Sequence, residues 1–312
     1  MEARLFRLPL IAALLTVSMG AKFQTPNFLI LTDNPRQAEQ YGRAAEQFRR
    51  DLAIAWLGEE MPRWADRCPI KVKVGPRLGA GGATTFLFDH GEVFGWRMSI
   101  QGSHERVLDS VLPHEITHMI LASHFRRPLP RWADEGAATS VEHISERTRH
   151  RKMLVEFLHT DRGIPFNAMF AMKEYPKDIM PLYAQGFSLA EFLIQHGGKR
   201  KFLAFMGDGL EGERWADAVR EHYGHANLGQ LQNVWLGWVA QGFPEIRAPE
   251  TTPVMVASSR LPRPQPNLVY RDRTEHQSAL ADYSGPLPTP GPSREPTTPQ
   301  PARQVVLEWQ RR

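Results

Sequence analysis

The chain has 312 residues and a formal net charge of +4, from 38 Lys and Arg against 34 Asp and Glu. The basic residues are scattered, and no basic segment carries interleaved aromatic residues, so the composition argues against a nucleic-acid-binding surface. The single cysteine, Cys68, excludes an internal disulfide. We expect it to be a packed apolar residue rather than a reactive thiol.

Residues 1–21 have the composition of a signal peptide. Arg4 and Arg7 precede an apolar run at residues 8–17, and small residues follow as far as Ala21. The run is too short for a comfortable membrane-spanning helix, although an uncleaved anchor is an alternative. We therefore expect an exported protein, in the periplasm, at the cell surface or secreted, with no other insertion into the membrane.

The residues before the central motif predict a small sheet and one long helix. Apolar residues at helical spacing predict a helix over Pro35–Leu57 that ends at Gly58. The Gly-rich residues 78–83 match neither phosphate-binding fingerprint and are interpreted as a loop. The predicted strands cover Phe28–Thr32 and residues 70–74, 84–88 and 93–100.

Residues 114–118, His-Glu-Ile-Thr-His, fit the HExxH pattern. On a helix, His114 and His118 lie on one face, so both imidazoles can bind one metal ion. Glu115 lies about 100° further round the helix, where it can take a proton from water at the open position of the metal. Pro113 precedes the motif, so we expect the helix either to restart near Ser110 or to bend there.

Two residues are candidates for a third metal ligand. His124 has the spacing of a longer metal-binding pattern, but that pattern needs a helix-breaking Gly where this chain has Leu121. The helix is therefore expected to continue and to carry His124 away from the metal. Glu135 belongs to a second predicted helix, over residues 131–145, that can return to the two histidines. Glu135 is the preferred candidate.

The pattern HExxH followed by Trp-x-x-Glu-Gly at residues 132–136 resembles the gluzincins, in particular the peptidase-MA-like metallopeptidases. The resemblance implies a Zn²⁺ ion bound by His114, His118 and Glu135. It also implies hydrolysis of a peptide or protein substrate, with Glu115 as the general base that activates water.

The same resemblance implies a zincin-like α+β catalytic domain over residues 22–242. Such a domain has a small N-terminal sheet, an active-site helix and a mostly helical C-terminal half. In zincin folds an edge strand near the active-site helix binds extended substrate by strand addition. Residues 96–100 are the candidate for that edge, and an ordinary sheet strand is the alternative.

Thr139 departs from the family pattern, whereas Tyr183 resembles it. Many gluzincins place an Asp four residues after the ligand Glu to hold a zinc histidine, but this chain has Thr139 there. Thr139, Asp134 or Glu142 could take that role, and the sequence leaves the choice open. Tyr183, in a Tyr-x-Gln segment, resembles the tyrosine that stabilises the oxyanion, and a packing role is the alternative.

The sequence predicts helices in the C-terminal half as far as residue 242, and the composition changes beyond that residue. Helices are expected over residues 149–159, 187–196, 199–206, Trp215–Tyr223 and 228–239. Residues 243–312 are rich in Pro, Thr and Ser and poor in large apolar residues, which predicts a disordered tail. Weak docking of residues 305–309 is the alternative.

Two other functions compete with peptide hydrolysis. One is an exported binding or scaffold protein that keeps a zincin fold without turnover. Glu115 argues against it, because a structural zinc site has no use for a base and usually closes with four protein ligands. The other is a zinc hydrolase that acts on a non-peptide amide, and the sequence does not separate these substrates.

Overall fold

The computed structural model describes residues 21–246 and the backbone of residues 303–310. It contains both helices and a sheet, which confirms the α+β class. Residues 1–20, which carry nearly all of the predicted signal peptide, lie outside the described residues, as do residues 247–302 of the predicted tail.

The described residues form a six-stranded mixed sheet with the spatial order β1-β2-β3-β5-β4-β6. Strands β2, β3 and β5 are parallel to one another, and the other neighbours are antiparallel. The strands are β1 (Ala21–Gln24), β2 (Phe28–Thr32), β3 (Cys68–Val74), β4 (Gly81–Asp89), β5 (Glu92–Gly102) and β6 (Arg303–Gln310).

The sheet differs from the expectation at four places, the first of which is β1, a strand that the sequence did not predict. Residues 96–100 lie in β5, which is paired on both sides, so the prediction of a substrate edge there is wrong. Strand β4 begins at Gly81, so the end of the predicted Gly-rich loop is strand. Residues 303–310 form β6 at the outer edge of β4, where the sequence predicted a disordered end.

Helix α1 (Pro35–Leu57) connects β2 to β3 and has the predicted bounds. The side chain of Asn34 accepts a hydrogen bond from the backbone of Arg36, and Gly58 ends the helix with φ of 88°. Buried α1 side chains such as Tyr41 and Trp56 belong to the same core as Cys68 of β3, which is fully buried as expected. Burial raises the pKa of the Cys68 thiol, so it is not a reactive group.

The segment before the central motif is helical but irregular. A short helix α2 (His104–Arg106) is followed by a π-helical turn over Val107–Val111, and helix α3 (Leu112–Phe125) follows directly. Pro113 has no backbone N–H for the carbonyl four residues earlier, and its ring would crowd that carbonyl in a regular α-helix. The wider π turn accommodates this, and the backbone stays helical from α2 into α3 without a new start at Ser110.

The rest of the described chain is helical. Helix α4 ends at Thr139 and α5 begins at Ile144, so the first of these helices ends earlier than the predicted residue 145. His143 caps α5, because its side chain accepts a hydrogen bond from the backbone N–H of Ser145. Within the part of the chain that the structure describes, no helix combines the length and apolar character needed to cross a membrane. The helices are α4 (Arg131–Thr139), α5 (Ile144–His159), α6 (Phe166–Ala171), α7 (Met180–Gln195), α8 (Gly198–Leu210), α9 (Trp215–Tyr223) and α10 (Leu228–Ala240).

Two glycines bring α4 and α7 unusually close. A Cβ added at Gly136 of α4 would overlap the carbonyl oxygen of Gly186, and one added at Gly186 would lie 2.5 Å from the carbonyl oxygen of Trp132. Only residues without a side chain allow this approach. The contact fixes α4, and with it Glu135, against the helix that carries Tyr183.

Candidate metal centre

Side chains from α3 and α4 converge on one point in the interior. His114 Nε2 lies 3.1 Å from His118 Nε2, and Glu135 Oε2 lies 3.6 Å and 3.9 Å from these two nitrogens. All three side chains are at most 1% exposed. The four-residue spacing puts the two histidines on one face of α3. The motif alone therefore accounts for the short distance between their Nε2 atoms.

The three atoms fit a tetrahedral zinc site. Metal bonds of 2.0–2.1 Å would place tetrahedral ligands about 3.3 Å apart, close to the observed separations. Glu135 Oε2 is buried and has no hydrogen-bond partner among the described residues. A buried carboxylate oxygen without a partner is costly unless something positive binds it. A metal ion at this point would satisfy Glu135 Oε2 together with both nitrogens.

Each histidine is held from behind by a carboxylate. His114 Nδ1 lies 2.8 Å from Glu142 Oε1, and His118 Nδ1 lies 2.7 Å from Asp134 Oδ1. When Nδ1–H donates to a carboxylate, Nε2 keeps its lone pair for a metal, and the ring is fixed in orientation. Of the three residues that the sequence left open, Asp134 and Glu142 are therefore the ones in contact with the histidines. Thr139 is buried on α4.

Glu115 contacts β4 beside this cluster. Its Oε2 accepts a hydrogen bond of 2.5 Å from Thr84 Oγ1, and its Oε1 has no partner among the described residues. A Cβ added at Gly82 would overlap Oε1, so the glycine makes room for the carboxylate. Burial raises the pKa of Glu115, and the two histidines and Thr84 only partly oppose this. A carboxylate with a raised pKa and a free oxygen is suited to act as a proton acceptor.

The electrostatics of the cluster favour a positive charge. Burial alone would lower the pKa of His114, but its contacts with Glu135 and Glu142 raise it to about 10. Burial would likewise raise the pKa of Glu135, but the close approach of His114, the charge of both histidines and the hydrogen bond from Tyr175 lower it. Three carboxylates around two buried imidazoles thus create a negative potential at the point where the Nε2 atoms meet.

Two tyrosines lie next to Glu135. Tyr175, in the loop before α7, donates a hydrogen bond of 2.5 Å from its hydroxyl to Glu135 Oε1. Tyr183, on α7, is buried with its ring centroid 6.2 Å from that of Tyr175, and its hydroxyl has a hydrogen bond with Tyr175. Burial and the charge of Glu135 raise the pKa of both tyrosines, so both hydroxyls remain protonated donors. Sequence reasoning missed Tyr175, which follows no motif.

His124 does not join the cluster. It lies near the end of α3, which continues through Leu121 to Phe125 as expected, and its ring packs against Phe125 with centroids 4.7 Å apart. The metal-compatible group found among the described residues contains His114, His118 and Glu135.

A third buried histidine lies beyond Glu142. His150 of α5 is 1% exposed, and neither ring nitrogen has a hydrogen-bond partner among the described residues. Its ring packs near Phe187, with centroids 5.9 Å apart. Burial lowers the pKa of His150 to about 4, so the ring is neutral in the folded protein at neutral pH.

We compared the chain with protein-family models, with curated proteins and with solved structures, and none of the three comparisons gave a match.

Proposed function

We propose that the protein is an exported zinc-dependent metallopeptidase of gluzincin type, with a zincin-like catalytic domain. The observation that carries the proposal is the meeting of three buried ligand atoms, from His114, His118 and Glu135, beside a carboxylate oxygen of Glu115 that has no partner among the described residues. Histidine, histidine and carboxylate with a fourth position left open is the ligand set of catalytic zinc.

The side chains around this point have distinct roles in the proposed reaction. Zinc, when bound, supplies a Lewis acid that lowers the pKa of a coordinated water to about 7. Glu115 takes the proton of the attacking water at its free Oε1 and later delivers it to the leaving amine. The hydrogen bond from Thr84 to the other oxygen holds the carboxylate in this orientation.

Tyr183 is the proposed donor to the oxyanion that forms on the scissile carbonyl. Its raised pKa keeps the hydroxyl protonated, which a donor requires. Tyr175 acts differently in this proposal, because its hydroxyl already contacts Glu135 at 2.5 Å. It is a positioning residue for that carboxylate, and its contact with Tyr183 orients the second hydroxyl.

The buried position of Glu115 favours hydrolysis over a purely structural metal site. A carboxylate that is fully buried costs free energy unless it is paired. Here Oε2 accepts a hydrogen bond from Thr84. The other oxygen, Oε1, has no hydrogen-bond partner among the described residues. A structural site would be stabilised by an uncharged residue at this position, whereas a hydrolase requires the carboxylate.

The test is metal analysis and peptide cleavage on matched variants. The purified protein should hold about one zinc per chain, Glu135→Ala should lose most of it, and His124→Ala should keep it. Glu115→Gln should keep the zinc but lower kcat on a mixture of peptides by about 10²-fold or more, because it removes the proton acceptor without changing size. The exposed Glu105→Gln is the control and should behave as the wild type.

Two results would contradict the proposal. If His124→Ala loses zinc and Glu135→Ala keeps it, the ligand set is wrong. If Glu115→Gln holds zinc and cleaves peptides as fast as the wild type, another group activates the water. Zinc binding without cleavage of any peptide by the wild type would favour a binding protein or a hydrolase of non-peptide amides.

A further inference from the structure

Strand β4 is the part of the sheet that touches the proposed base. Thr84 donates to Glu115 Oε2, and Gly82 lies against Oε1 of the same carboxylate. One edge of β4 is paired with β5. Its other edge, called the outer edge here, lies on the side opposite β5 and the other N-terminal strands. Whatever pairs with that outer edge lies one strand spacing, about 4.8 Å, from the residues that contact Glu115.

The C-terminal strand β6 occupies this edge along residues 81–88 of β4. The pairing is antiparallel, with Trp309 opposite Gly82 and Leu307 opposite Thr84. The two β4 residues that contact Glu115 are therefore the register partners of the last residues of β6. The backbone of residues 307–309 is therefore paired with the part of β4 that contacts Glu115.

An unpaired strand edge binds extended peptides through its free N–H and C=O groups. Main-chain pairing supplies affinity without requiring one peptide sequence, because every residue except proline offers the same groups. A peptide added to β4 in the antiparallel direction would bring its backbone past Glu115, as β6 does. The composition of β6, with Val305, Val306, Leu307 and Trp309, suits an extended conformation.

We propose that residues 303–310 are an intramolecular occupant of the outer edge of β4 and that they exclude extended peptides from this edge. The partner that fits this surface is an extended peptide, bound antiparallel to β4 through its main chain. The competition between β6 and a peptide is independent of catalysis, whereas cleavage of the bound peptide rests on the proposed function.

The tether makes this competition strong. A segment on the same chain has an effective concentration on the order of mM when its linker can span the distance. A free peptide with similar contacts, supplied at μM concentration, would then occupy the edge about a thousandfold less often. Release of β6 should accordingly raise peptide binding without any change at the metal ligands.

The first test is hydrogen exchange on the full chain with proline variants. Amides of successive strand residues point to opposite sides, so one of Val306 and Leu307 must face β4, and the double variant Val306→Pro/Leu307→Pro removes that donor. Roughly half of the β4 amides face β6. In the double variant these amides should exchange at least tenfold faster, while those of β2 and β3 keep their protection. The control Ser258→Pro/Ser259→Pro should match the wild type.

The single variants show whether a loss of protection is specific. Proline is tolerated where an edge-strand amide faces solvent. One of Val306→Pro and Leu307→Pro should therefore release β4 and the other should not. If both singles and the double variant leave β4 as protected as in the wild type, or if the wild type shows no protection on this side of β4, β6 does not occupy the edge in solution and the proposal is overturned.

The second test is binding of a labelled peptide with the sequence of residues 303–310. It should bind the double variant at least tenfold more tightly than it binds the wild type or the Ser258/Ser259 control. Equal binding to all three proteins would overturn the proposal. If exchange and binding follow the expectation but the zinc-loaded variant cleaves no peptide, the peptide-binding edge stands and the proposed hydrolysis fails.

Discussion

Replacing Glu142 with Gln should weaken zinc binding while leaving the three proposed ligands in place. The substitution keeps the shape of the side chain but removes the charge that faces His114 Nδ1 at 2.8 Å. Both side chains are fully buried, so water does not screen the lost interaction. Loss of such a supporting carboxylate costs about 10- to 100-fold in metal affinity, or about 1.4 to 2.8 kcal/mol. We expect the upper half of this range.

The measurement is competition for zinc between the protein and a chromophoric chelator of known affinity, at fixed pH. Asp134→Asn should also weaken binding, but less, because the side chain of Asp134 is 8% exposed. Thr139→Val, which keeps the volume at the position where gluzincins place an Asp, is the control and should stay within about twofold of the wild type. Unchanged affinity in Glu142→Gln together with a loss in Thr139→Val would refute the assignment of Glu142 as the support of His114.

The remaining predictions concern the base, the tyrosines and pH. Gly82→Ala should lower kcat by about 10²-fold at unchanged zinc content, because a Cβ there displaces the base, whereas Gly237→Ala, in open space, should not. Tyr183→Phe should lower kcat about 10²-fold and keep zinc, whereas Tyr175→Phe should weaken zinc binding about tenfold in the chelator assay. His150 has a pKa of about 4 when folded and about 6.5 when unfolded, so the unfolded chain binds more protons between these values. The wild type should therefore lose stability relative to His150→Phe as pH falls from about 6.5 to about 4. The loss should reach up to about 3 kcal/mol in the free energy of unfolding measured in urea. A difference in unfolding free energy between the two proteins that stays constant with pH would contradict this.

Local patterns predicted those parts of the site that one helix determines. The four-residue spacing of His114 and His118 puts both rings on one face of α3 whatever the rest of the chain does. Leu121 was enough to separate His124 from the cluster, because a helix without a breaker continues. The bounds of α1 follow in the same way from Asn34 and Gly58 at its ends.

Contacts between distant segments were not predictable from local patterns. Strand β6 pairs with β4 across more than two hundred residues, and its short apolar segment looks the same whether it is paired or free. The assignment of residues 96–100 to the sheet edge failed for the same reason, because an edge is a property of the whole sheet. Tyr175 lies in an irregular loop, where no periodicity indicates which side chains turn inward.

The early end of α4 determines which carboxylate supports His114. An Asp at that position would reach a histidine from the turn of α4 after the one that carries Glu135. Here α4 stops at Thr139, and the backbone leaves the helix at residues 140–143, which brings Glu142 to His114 Nδ1. Asp134, directly before Glu135 on the same helix, holds the other histidine. Both histidines thus have carboxylate support without an Asp at position 139, so Thr139 does not argue against the proposed metal centre.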